Sequence, residues 1–275
     1  MKMAFVGWGS LIRNSRGLKV AGEWQEDGPL LPIEFARISK GKRLTLVLCP
    51  DASNVQTLWA YTAFKELKKA IMALANRERT KEDNIGFFST QDGSSRCEAV
   101  PEVLLRIVDW AKLKQLDAVI WTDLTSNFKE ETNADLNEDD VLSYISDLTP
   151  EERTEAENYV CNAPEQIDTK IRQRLKTEFG WRTLTEYRNG FWLDNNTFIT
   201  ADGAHIQTAE RKVHGNPYGK IEKAQMLILT NAVEMIVDKG GKILGLEKRQ
   251  KFGLWLDVVN RVMRERELAE PSILP

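Results

Sequence analysis

With 275 residues, 42% of them hydrophobic, and eight Trp and ten Phe, the chain has enough apolar mass for one large core or two small ones, which excludes a largely disordered protein. A formal net charge of -3 and a pI near 5.7 give no electrostatic footprint for nucleic acid or for an anionic membrane. Cys49, Cys97 and Cys161 are far apart and form no CxxC pair, which argues for reduced thiols in a cytoplasmic protein and against a disulfide framework or a zinc site.

The first residues, Met1 to Val6, are an apolar run that reads as a buried strand. It breaks into Gly7-Trp8-Gly9-Ser10-Leu11-Ile12. Glycines on either side of an aromatic let the backbone turn and present its N–H groups. If a helix or a second turn starts near Ser10, those N–H groups, the hydroxyl and the positive helix end converge, forming a nest for a carboxylate or an oxyanion. An ordinary tight turn between core elements explains the pattern equally well. Arg13 to Gly28 reads as a polar loop with at most one short element. Leu30 to Ser39 and Leu44 to Leu48, joined through Lys40-Gly41-Lys42, read as a hairpin. Val55 to Phe64 reads as one strand buried on both faces.

From Glu66 the period changes. Leu67, Ala70, Ile71, Leu74 and Ala75 recur at helical spacing and lead into Asn76-Arg77-Glu78-Arg79-Thr80. Val100 to Trp110 reads as helix or strand, Ala118 to Leu124 as a buried strand and Asn133 to Asp140 as an acidic loop. Helices are expected over Val141 to Leu148, over Glu152 to Cys161 behind a Thr149-Pro150 start, and over Pro164 to Phe179 up to Gly180. Thr183 to Ala204 suits a small hairpin or irregular cap, and His205 to Gly219 a linker. Two further helices are expected, one through Ile221, Ala224, Leu227, Ile228, Val233, Ile236 and Val237, the other through Phe252, Trp255, Val258, Val259, Val262 and Met263. No stretch is long and apolar enough to cross a bilayer, and Met1 leads into structure rather than into a signal peptide.

His205 and His214 are the only histidines, and neither sits in a cysteine motif, so a histidine-based triad or metal site has no support and acid–base chemistry falls to a carboxylate. Glu78 stands out by position, at the end of an amphipathic helix whose preceding strand and short connection bring it towards the opening turn. From pattern alone, Arg77-Glu78-Arg79 followed by Lys81-Glu82-Asp83 is more simply a solvated charge run.

Phe5-Val6-Gly7-Trp8-Gly9-Ser10-Leu11-Ile12 resembles the first-strand signature of gamma-glutamylcyclotransferase-like proteins, with Trp8 where Tyr is usual. The Leu-Ile continuation is most similar to the glutathione-degrading branch. Leu74-Ala75-Asn76-Arg77-Glu78-Arg79 is similar to that branch's segment around its catalytic glutamate, without the glycine that often follows. Ala118 to Phe128 and Ala163 to Thr169 resemble features of a bacterial subgroup of the same fold.

The resemblance implies an α+β protein with a small mixed or antiparallel, barrel-like cyclotransferase domain and flanking helices over 1–182, and the length beyond what that fold needs, with its apolar stripes, adds a mostly helical extension over 183–275. It implies a cytoplasmic enzyme that closes a gamma-glutamyl peptide or amine onto itself, giving 5-oxoproline, with Glu78 as general base. Gly7, Trp8, Gly9, Ser10 and Leu11 would bind the substrate carboxylate or oxyanion, without metal or organic cofactor. No nucleic-acid or membrane partner is expected. The alternative is an inactive scaffold that docks a partner, or a second copy of itself, through its C-terminal helices.

Overall fold

Apolar runs with period two become strands and runs with period 3.6 become helices wherever both find a core to cover. The computed structural model of the chain describes residues 1–15, 17–183, 186, 191–192, 197–203, 205–207, 210–212, 225–228, 233–237 and 243–248. In chain order the first part contains β1 (Met3–Gly7), α1 (Ser10–Arg13), β2 (Val20–Gln25), β3 (Leu30–Ile38), β4 (Leu44–Leu48), β5 (Asn54–Gln56) and β6 (Leu58–Thr62). Then come α2 (Leu67–Glu78), a 3-10 turn (Glu82–Asn84), β7 (Ile85–Ser89), β8 (Ser95–Arg96), α3 (Pro101–Leu113) and β9 (Ala118–Thr122). Four helices follow: α4 (Phe128–Thr132), α5 (Glu138–Asp147), α6 (Pro150–Cys161) and α7 (Lys170–Phe179). The last strands are β10 (Phe191–Trp192), β11 (Thr197–Ile199), β12 (His205–Gln207), β13 (Glu210–Lys212), β14 (Gln225–Ile228), β15 (Val233–Val237) and β16 (Ile243–Lys248).

The chain divides into two units. The first comprises 1–148 and 163–177, the second 149–162 and 178–275, so α6 joins the C-terminal part although its neighbours in sequence do not.

In the first unit a six-stranded sheet runs β2-β6-β1-β9-β7-β8. Its centre is the parallel pair β1/β9, with Met3, Ala4 and Phe5 opposite Ala118, Val119 and Ile120. The other neighbours are antiparallel. Both central strands are flanked on each side, and β1 is buried at every residue. Met3, Phe5, Ala118, Ile120 and Ile85 pack against Ala70, Ile71, Leu74 and Ala75 of α2, which is the face the helical period selects. Gly86 lies opposite Trp121, whose indole fills the space a Cβ would take.

A second, three-stranded sheet runs β4-β3-β5. The expected hairpin of Leu30 to Ser39 with Leu44 to Leu48 is β3/β4. The single strand expected over Val55 to Phe64 is two strands in different sheets: β5 pairs with β3, and β6 pairs with β1 and β2. Thr57 is the pivot. Its buried hydroxyl donates to the Pro29 carbonyl and its own carbonyl accepts from Gly28 N–H, so a polar residue within an apolar run marks a sheet change rather than an outward face.

Two stretches without assigned chemistry have structural work. In the segment after β9, Asn127 accepts from Ile38 N–H and donates to its carbonyl, Ser126 donates to the Ala36 carbonyl, and Arg37 donates to the Thr125 carbonyl. This sews the segment to the edge of β3. In 163–169 the buried Arg172 guanidinium donates to the carbonyls of Ala163, Pro164 and Ile167. Six residues expected in the helix from Pro164 are therefore held as a loop, and α7 begins at Lys170.

In the second unit α6 begins with the expected Thr149-Pro150 start, extended into a capping box in which the Thr149 hydroxyl accepts from Glu152 N–H and the Glu152 carboxylate accepts from Thr149 N–H. Two small sheets follow, β10-β11-β12 and β13-β14-β15-β16, all antiparallel. They correct two expectations. Within the linker expected over His205 to Gly219, His205–Gln207 and Glu210–Lys212 are strands, and within the helix expected through Ile221 to Val237 the described residues are β14 and β15, with β16 beside β15. The helix expected from Phe252 to Met263 lies outside the described residues. The α+β class holds, but the described sheets form no closed barrel, and the described residues from Phe191 onward lie in strands and a turn rather than in helices. Among the described residues no helix is long and apolar enough to cross a membrane.

Candidate functional site

The turn after β1 and the last turn of α2 meet through one side chain. Ala70, Leu74 and Arg77 share a helix face, so Arg77 continues the buried stripe, and its side chain is only 4% exposed. A buried guanidinium needs partners for its donors. Nη1 donates to the Glu78 carboxylate at 2.6 Å and to the Ser10 hydroxyl at 3.3 Å, and Nη2 donates to the Asn14 carbonyl at 2.5 Å. One nitrogen thus holds an acid at the end of α2 and the hydroxyl that opens α1.

The Glu78 side chain is 21% exposed, lining the surface without projecting into bulk water. The helix stops there because Arg79 takes the left-handed conformation, and the N–H groups of Arg79 and Thr80 return to the carbonyls of Asn76 and Ala75.

The five loop residues have different roles. Gly7 is the last residue of β1, where a Cβ would press on Ile12 and Leu11. Trp8 points inward, its indole N–H donating to the Leu46 carbonyl of β4, so its ring is core rather than pocket wall. Gly9 caps α1, and its carbonyl accepts from Ile12 N–H. Ser10 is exposed and Leu11 is buried. The first residues of any helix carry N–H groups with no partner inside it, and here those positions fall on Ser10 and Leu11. The structure therefore brings Ser10 and Glu78 together, while the side chains of Trp8 and Leu11 leave the site for the interior.

Trp59 and Tyr61 pack edge-on to each other, and Trp59 also packs on Trp110 and donates to Asp27. Lys114 sits over the Trp59 ring and pairs with Asp27.

Three residues near this end of the sheet were not singled out by the sequence reading. Arg77 was legible in principle, because it falls on the apolar stripe. Arg79 lines a surface pocket of about 410 Å³ together with Gly17, Leu18, Ala73, Asn76 and Arg77. Asp123 directly follows β9 and is buried, accepting from the Glu98 N–H and the Trp121 indole. Burial pushes its carboxyl above the usual aspartate range, against those two bonds.

Cys97 lies nearby, its thiol pushed up to about 11 by burial and by the Asp123 charge, which makes it a poor nucleophile. The described residues contain no group of three or more His, Cys, Asp or Glu placed to hold a metal ion. No family model matches the chain, and neither curated proteins nor solved structures give a match.

Proposed function

We propose that the chain is a gamma-glutamylcyclotransferase-type enzyme whose base is Glu78 and whose oxyanion and carboxylate site is the Gly7 to Leu11 turn. The observation that carries this reading is the shared Arg77 nitrogen, which sets the Glu78 carboxylate and the Ser10 hydroxyl beside the first turn of α1.

In the reaction, the alpha-ammonium of a gamma-glutamyl substrate gives a proton to Glu78, and the freed amine attacks the gamma-carbonyl carbon. A ring C–N bond forms and the amide C–N bond breaks. The proton on Glu78 passes to the departing nitrogen, Glu78 takes the remaining extra proton of the ring nitrogen, and the products are 5-oxoproline and that amine or peptide, which leaves as an ammonium carrying this second proton. Amides of the opening turn stabilise the tetrahedral oxyanion. Arg77 acts as a positioning residue, since it touches the base rather than the reacting atoms. The chemistry is ring closure by alignment, for which a fixed base and fixed donors suffice.

The test is Glu78→Gln in the full chain, assayed for 5-oxoproline release from a panel of gamma-glutamyl amino acids, peptides and amines. Turnover is expected to fall by about a hundredfold or more with the melting temperature held. A variant that still cyclises at the parent rate would remove Glu78 from the role. The alternative is docking of a partner or a second copy through the C-terminal part, where the first of the two expected helices falls on strands 225–228 and 233–237 and the second, Phe252 to Met263, lies outside the described residues.

A further inference from the structure

We infer that the pocket beside the last turn of α2 is a binding site for a small organic oxyanion, held chiefly by Arg79. The inference is independent of the cyclisation reaction. The cavity, of about 410 Å³, is within the size range of small-molecule sites. Among the described residues it is lined by Gly17, Leu18, Ala73, Asn76, Arg77 and Arg79, with no Asp or Glu.

The two arginines differ in how they are satisfied. Arg77 is committed to Glu78, Ser10 and Asn14, so its charge is largely cancelled by the adjoining carboxylate. Arg79 is exposed, and among the described residues its guanidinium has neither a hydrogen-bond acceptor nor an acidic partner. The residual charge of the pocket is therefore the Arg79 fork, which matches a carboxylate or a phosphate in a bidentate arrangement. Asn76, one turn earlier, lines the same pocket, and its residue type can donate through a carboxamide. Leu18 and Ala73 offer apolar walls to a short carbon body.

The experiment titrates the full chain with sodium phosphate and, separately, with sodium succinate, by isothermal calorimetry against sodium chloride at matched ionic strength, and repeats both titrations with Arg79→Gln. Saturable heat from at least one of the two oxyanions, beyond that from chloride, and an affinity lower by about tenfold or more in Arg79→Gln are the expected results. Binding of phosphate alone assigns a phosphate ester as ligand, succinate alone a carboxylate, and both a general oxyanion site. If neither anion binds beyond chloride, or if Arg79→Gln binds as tightly as the parent, the inference is overturned. Because Arg79 is exposed, loss of fold is not an expected complication, and an unchanged melting temperature for Arg79→Gln checks it. Glu78→Gln, run alongside, separates the two ideas: the cyclisation reading stands or falls on product release, the pocket on anion binding.

Discussion

Single residues decide more here by what they cannot do than by what they donate. Gly86 has no side chain because the Trp121 indole occupies the position, with ring atoms 2.2 to 2.6 Å from where a Cβ would be. Both strands are central or nearly so, and Trp121 is fully buried, so neither can yield. Gly86→Ala is expected to cost about 3 kcal/mol or more, read as a lowered denaturation midpoint, and a change below about 1 kcal/mol would mean that the strand pair can shift. Glu34 carries a different constraint. It is buried on β3 with its oxygens accepting from Phe35 N–H and Ile171 N–H and from the Thr169 hydroxyl, which anchors the start of α7. Burial pushes its carboxyl above the usual glutamate range, and those bonds only partly oppose it. The folded chain thus holds this proton more tightly than the unfolded chain. The resulting stabilisation is complete below the usual glutamate range and is lost as pH rises through the raised folded value. Relative to Glu34→Gln, which does not titrate, the parent should lose unfolding free energy between about pH 4 and pH 7 in urea titrations. A constant difference over that range would show that Glu34 titrates alike in both states.

At the scale of elements, α2 couples the sheet to the candidate site. Its apolar stripe covers the β1/β9 pair, and the same stripe, extended by one position, buries Arg77 and so fixes Glu78 beside Ser10. The helix ends in the strained Arg79 conformation. Arg79→Gly should therefore raise stability by about 0.5–1 kcal/mol, measured as a higher melting temperature. A neutral or lower value would show that the arginine side chain contributes packing that offsets the backbone strain. Elements also show where local reading fails. Val55 to Thr62 alternates as one strand would, yet Thr57 turns the chain from one sheet to another by bonding Pro29 and Gly28. That bond joins residues 28 apart, so no short window contains it. The stretch from Asn84 to Ala99 drew no secondary-structure expectation, although it contains β7 and β8, because β7 is only five residues long and its Gly86 interrupts the apolar pattern.

At the scale of the whole molecule, the six-stranded sheet is the frame from which the candidate site hangs. β1 and β9 sit at its centre, and Ala4, Phe5, Val119 and Ile120 are fully enclosed. Peptides spanning 3–6 and 118–120 should be among the last of the first unit to exchange amide hydrogen for deuterium, and early exchange there would contradict the central placement. Much of this was determined locally by the sequence: the opening strand and its glycine turn, the β3/β4 hairpin, α2 with Glu78 near its end, and the Thr149-Pro150 start of α6, because each is specified by residues within a few positions of one another. Tertiary structure alone decided that Glu78 leaves the exposed charge run, since its buried partner Arg77 is also bonded to Ser10 and Asn14, 67 and 63 residues away in sequence. It also decided that Gln225–Ile228 and Val233–Val237 are strands. Apolar residues at 227, 228, 233, 236 and 237 satisfy a helical period almost as well as a strand pair with a turn between them, and only pairing partners distinguish the two. Periodicity records which residues must leave water; which surface receives them is set by chain segments that a local window never includes.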